Sequence, residues 1–79
     1  MHYVYIIQSI NHPDKTYIGC TPNLKQRLID HNDGKSLYSS KYAPWSIVTY
    51  TAFKDPAKAF AFEKYLKTSS GKAFIAKYL

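Results

Sequence analysis

The residues able to do chemistry are few, and two of them stand out by being used once. Arg27 is the only arginine among eleven basic residues, and Glu63 is the only glutamate among five carboxylates. A guanidinium differs from an ammonium in offering a planar fork of donors that can grip a phosphate or carboxylate through two bonds. Arg27 lies with Leu24, Leu28 and His31 at spacings i, i+3, i+4 and i+7, which is one face of a helix. The two leucines predict that this face points to the core. A guanidinium and an imidazole placed there must find partners, or each costs about 1–3 kcal/mol when buried. Arg27 therefore either holds an anionic group and stabilises charge developing on it, or forms a structural pair with a carboxylate. His31 either bonds a nearby tyrosine and helps move a proton, or is a satisfied structural histidine.

Glu63 stands apart from the other acids. Asp14, Asp33 and Asp55 fall in turns or caps, where aspartate is routine, and Asp30 falls on the outward face of the first helix. Glu63 alone sits on an apolar stripe, among Ala59, Phe62 and Leu66. Its stem could pack while its head pairs with Lys67 at i+4. The alternative is a divalent-metal ligand, since Mg²⁺ keeps several waters and commonly takes one or two carboxylates plus phosphate oxygens.

The elements that must position these groups can be read in order. Tyr3 to Ile7 is β-branched and aromatic, a buried strand. Asn11-His12-Pro13-Asp14 has turn composition, and Thr16 to Cys20 returns as a second strand, giving a hairpin. Whether Tyr5 and Tyr17 share a face depends on the register, because side chains alternate. Thr21 is the expected N-cap and Pro22 the first residue of a helix reaching Asp33, with Gly34 as its stop. Residues 35–44 read as an exposed polar loop, in which Tyr38, Ser39, Ser40 and Tyr42 could touch a nucleic-acid backbone or stack on a base. Trp45 to Phe53 is the third strand, apolar on both faces and so expected to be covered on both. Asp55 caps, and Pro56 opens, a helix to about Thr68. Ser69 or Ser70 caps a short final helix with Phe74 and Tyr78 on one face. The order is ββαβαα, an α/β (α+β) fold in one domain over residues 1–79.

Composition narrows the class. Hydrophobic residues make up 46% and aromatics 16%, enough for a folded core rather than disorder. The net charge of +6 favours a polyanionic partner, nucleic acid before membrane. Lys35, Lys41, Lys67 and Lys72 are candidate phosphate contacts. The single Cys20 excludes an internal disulfide and suits a reducing, cytoplasmic setting. No signal peptide is expected at the start, and no window has the 18 or more apolar residues of a membrane span.

The motifs together have a counterpart. Val4-Tyr5, then Tyr17-Ile18-Gly19, Thr21, Leu24, Arg27 and His31 at their present spacing, then Glu63 on a later helix, resemble the GIY-YIG nuclease superfamily. The likeness is to its small standalone members and to the N-terminal domain of the excision-repair protein UvrC, and it covers nearly the whole chain. It implies a small, mostly antiparallel three-stranded sheet flanked by three helices, with Tyr5 and Tyr17 on one face. It also implies a divalent-metal-dependent endonuclease cutting phosphodiester bonds in DNA, in repair or structure-directed processing. On this resemblance Tyr17 activates the attacking water, Arg27 grips the scissile phosphate, Glu63 holds Mg²⁺ or Mn²⁺, and Tyr5 and His31 support them. Larger relatives draw specificity from further domains, so a partner protein is implied here. One position departs from the pattern: several active relatives carry an asparagine about twelve residues after the glutamate, and here that residue is Ile75. The alternative is a basic nucleic-acid-binding module that keeps the fold without cutting. A third reading is a protein-interaction domain.

Overall fold

In the computed structural model, residues 1–34 and 37–79 are described, the side chains of Leu37 and Tyr38 excepted. Strands β1 (His2–Ser9) and β2 (Thr16–Thr21) form the expected hairpin, and β3 (Trp45–Phe53) completes an antiparallel sheet in the order β2-β1-β3. Around it lie α1 (Leu24–Asn32), α2 (Leu37–Tyr42), α3 (Pro56–Leu66) and α4 (Ser69–Tyr78). The fold is α+β with the expected succession of strands and main helices. The added helix, α2, falls in the segment read as a loop.

The two faces of the central strand carry two separate cores, as period-two alternation requires. Val4 and Ile6 pack with Ala59 and Leu66 of α3, together with Phe62, Phe74 and Ile75. Tyr5 and Ile7 point the other way, to Trp45, Tyr17, Tyr42 and the α1 leucines Leu24 and Leu28. The sheet is thus a partition, with α1 on one side and α3 and α4 on the other.

β3 obeys this partition only because of an irregularity. Ile6 opposes Thr49 but Ile7 opposes Ile47, so Val48 is an extra, bulged residue. The bulge turns Trp45 and Ile47 to the Tyr5 side, while Phe53 stays on the α3 side. It also accounts for apolar residues at successive positions of β3. The expectation that both faces are covered is corrected: β3 is an edge strand, and Ile47, Val48 and Tyr50 are exposed.

Helix boundaries follow local chemistry. α1 begins two residues later than expected, with Asn23 as its N-cap accepting the Gln26 amide at 3.1 Å. Thr21 is engaged in the preceding turn, its Oγ1 accepting the Asn23 amide at 3.1 Å. Gly34, at φ +76°, ends the helix in a conformation that suits glycine. Asp55 and Pro56 open α3 as expected, with the Asp55 carboxylate accepting the Ala57 amide at 2.9 Å. The cap of α4 is Thr68, accepting from the Gly71 amide, rather than Ser69 or Ser70. Among the described residues no helix is long and apolar enough to cross a membrane.

Candidate active site

The hairpin register puts the two tyrosines on one face. Tyr5 opposes Gly19 and Ile7 opposes Tyr17, so Tyr5, Ile7, Tyr17 and Gly19 all look towards α1. The Tyr5 and Tyr17 rings stack at 6.3 Å between centroids. Gly19 provides the room: a Cβ there would lie 2.3 Å from the Tyr5 hydroxyl oxygen.

α1 delivers the polar half of the site from its inward stripe. His31 is 1% exposed, and its Nε2 lies 2.9 Å from the Tyr5 Oη. Its ring also packs against Tyr17, 4.9 Å between centroids. The Arg27 Nε–H donates to the Tyr5 Oη at 3.4 Å. Four of the five sequence candidates therefore converge: two phenols from the hairpin, and a guanidinium and an imidazole from one helix. Asn32 locks this helix to the sheet, its Oδ1 accepting the Trp45 amide at 2.6 Å, while the Trp45 indole N–H donates to the Ser39 carbonyl at 2.7 Å. The two cross-links fix α1 and α2 against the start of β3. Neither was evident beforehand, because such contacts join residues that only tertiary folding brings together. Ser39 is fully buried, so it is not a surface contact.

The protonation states follow from burial. Desolvation raises the Tyr5 phenol above its ordinary value, although the Arg27 hydrogen bond and charge oppose this. Tyr5 is thus a neutral hydrogen-bonding phenol at neutral pH and not a base. Burial lowers the His31 imidazole, and the Arg27 charge lowers it further. His31 is neutral, and its Nδ1 is buried with no hydrogen-bond partner among the described residues. A proton at Nδ1 would bury an N–H without an acceptor, so we assign the proton to Nε2, where it is donated to Tyr5. The Tyr5 oxygen then accepts from both Arg27 and His31, leaving its own hydrogen to be donated elsewhere. Arg27 is held firmly charged, first by its hydrogen bond to Tyr5 and also by one to Tyr17.

The fifth candidate, Glu63, stands on α3 across the sheet from α1 and is not in contact with the other four. Its carboxylate accepts from the Lys67 Nζ at 2.9 Å, across one turn of α3. The Glu63 side chain is 21% exposed. Its charge contributes to raising both Tyr5 and Cys20, each of which burial raises more, so it acts on the tyrosine cluster through space. Its partner Lys67 helps line a cleft of about 420 Å³, with Thr16, Tyr17, Ile18 and Lys72. Two of the four candidate lysines thus border Tyr17. Lys41 is exposed on α2, with its Nζ over the Tyr42 ring. Lys35 lies outside the described residues.

A metal would have a sparse donor set. Among the described residues no group of three or more histidine, cysteine, aspartate or glutamate side chains gathers. That excludes from these residues a closed cage of the structural zinc kind. A single carboxylate, here paired with Lys67 next to the cleft, suits at most a weakly held Mg²⁺, whose coordination substrate oxygens and water would complete.

Comparison with known proteins agrees with the geometry. The GIY-YIG catalytic domain family matches residues 1–78. The chain belongs to the GIY-YIG family. A UPF0213 protein of Streptococcus pyogenes serotype M3, SpyM3_1077, is 38% identical over 82 residues, covering 96% of this chain and 86% of the relative. The structure-specific endonuclease subunit SLX1 of Candida dubliniensis is 38% identical over 71 residues. That match covers 81% of this chain but only 25% of SLX1, so the GIY-YIG chain spans a quarter of that relative's length.

Proposed function

We propose that this GIY-YIG chain is a divalent-metal-dependent endonuclease that hydrolyses phosphodiester bonds in DNA. The observation that carries the reading is the convergence of Tyr5, Tyr17, Arg27 and His31 beside a cleft edged by Lys67 and Lys72. In this reading the lysines draw the phosphate backbone into the cleft. Arg27, braced by Tyr5, grips the scissile phosphate and offsets charge that builds on its oxygens. Tyr17, at the cleft wall, orients and deprotonates the attacking water. Tyr5 donates its hydroxyl proton towards phosphate or water, and His31 holds Tyr5 in that orientation. Glu63 would hold Mg²⁺ or Mn²⁺, which when bound polarises phosphate oxygens and acidifies water. The structure-specific name of the SLX1 relative supports branched DNA as the first substrate to try, and its name as a subunit supports a partner protein that confers specificity.

The test is direct. Purified protein is incubated with branched, single-stranded and duplex DNA and Mg²⁺ or Mn²⁺, alongside Glu63→Ala, Arg27→Ala and Tyr17→Phe. Cutting that survives undiminished in Glu63→Ala refutes the assignment. One contact favours a second reading: the Glu63–Lys67 pair occupies the only glutamate, as in a module that binds without cutting. Salt-dependent binding that persists in Glu63→Ala, with no cleavage under either metal, would establish it.

A further inference from the structure

A second cationic cluster lies by the hairpin turn, around Tyr42, which packs in the same core as Tyr17. The ring of Tyr42, half-buried at the end of α2, has the Lys15 Nζ 5.5 Å and the Lys41 Nζ 5.5 Å from its centroid. The His12 ring meets it edge-on at 5.4 Å. Three nitrogen-bearing side chains thus share one aromatic ring, His12 and Lys15 from the hairpin turn and Lys41 from α2. Ser9, almost fully buried, ties these parts together. Its Oγ–H donates to the Tyr42 carbonyl at 2.6 Å, and the same oxygen accepts the His12 amide at 3.1 Å. The Ser9 amide in turn donates to the Lys15 carbonyl at 3.0 Å. The cluster is therefore built into the junction of β1, the hairpin turn and α2.

Two ammonium groups gathered on one ring repel each other. The Tyr42 quadrupole offsets part of this, and among the described residues the ion pair made by this cluster is loose, Lys15 to the exposed Asp14 at 3.7 Å. An anion would complete the arrangement. Its position gives it a purpose, because Lys15 directly precedes Thr16, Tyr17 and Ile18, which line the Lys67–Lys72 cleft. We propose that Lys15 and Lys41, steadied by Tyr42 with His12 beside them, form a second phosphate-binding platform. It takes the nucleic-acid backbone beyond the cleft, so that the strand is held at two places. The inference rests on the nucleic-acid reading above, but not on cleavage.

Binding alone tests it. A short fluorescein-labelled DNA duplex is titrated with the full chain by anisotropy in EDTA, at salt concentrations between about 50 and 200 mM. Each lost phosphate contact lowers the slope of log K against log salt by about 0.9. The variant K15A/K41A should therefore lower the slope by nearly two, while K25A/K77A, which removes the same charge elsewhere, should leave it almost unchanged. Equal slopes for K15A/K41A and the parent overturn the platform, and so do equal losses in the two double variants. If the parent cuts DNA while K15A/K41A binds like the parent, the platform fails and the nuclease reading stands. If the parent binds no DNA, both fail.

Discussion

Replacing Gly19 by alanine tests whether the Tyr5 hydroxyl is held where the site needs it. The new Cβ would lie 2.3 Å from the Tyr5 Oη and 2.5 Å from its Cζ. Tyr5 is 2% exposed, packed between β1, α1 and Trp45, so the ring has little room to retreat. Forcing it aside incurs an overpacking cost of about 1–3 kcal/mol. It also stretches the 2.9 Å bond to His31, a loss of about 1 kcal/mol. The sum, about 2–4 kcal/mol, corresponds to a fall in melting temperature of about 8–30 °C for a domain of this size. Circular dichroism melts of the parent and Gly19→Ala measure it. In a Tyr5→Leu background, where the ring is gone, the same substitution should be far milder, and the double-mutant cycle should show a coupling above about 1 kcal/mol. Unchanged melting in Gly19→Ala, or additive effects in the cycle, would refute the reasoning.

Other expectations follow from the same cluster. The folded His31 imidazole lies below its ordinary 6.5, so the unfolded chain takes up that proton first as the pH falls. Its contribution to stability is present above pH 6.5 and lost on acidification towards the folded value, and His31→Gln should flatten urea midpoints across that window. Nitrogen chemical shifts of the His31 ring should report the Nε2–H tautomer, and an Nδ1–H signature would overturn the proton assignment. Arg27→Lys should lower single-turnover cutting by about 10²–10³-fold while DNA affinity changes little, because one ammonium cannot replace the fork. Asn32→Ala strips the acceptor from the Trp45 amide and should cost about 1–3 kcal/mol in urea unfolding.

The parts of the molecule legible in the sequence are those set by local rules. The stripe of Leu24, Arg27, Leu28 and His31 announced the inward face of α1, and Asp55-Pro56 marked the start of α3, because three- and four-residue spacing and capping act within a turn or two. The contact of Tyr5 with His31 was partly foreseen, since a buried imidazole needs a partner. What escaped depended on distant partners. Thr21 was the expected cap, and the turn that consumes its hydroxyl leaves the role to Asn23, a residue type at least as good at it. The α2 segment is short, rich in serine and tyrosine, and weak in helix propensity. It is anchored by the Trp45 indole on the Ser39 carbonyl. The bulge is likewise a tertiary matter, so β3 read as covered on both faces although Ile47, Val48 and Tyr50 are exposed. Glu63 was singled out by its rarity, but a sequence could not show that its helix stands across the sheet from Arg27.

Val48 gives the chain one spare residue at that point. Deleting it would restore strict pairing and leave Ile47 opposite Ile7 and Trp45 opposite Ser9, with the Trp45 amide still on Asn32 and its indole still on Ser39. α1 would keep its clamp to the sheet, and with it the geometry that brings Arg27 and His31 to Tyr5. A Val48 deletion should therefore leave the site assembled, although it shortens a strand at its middle.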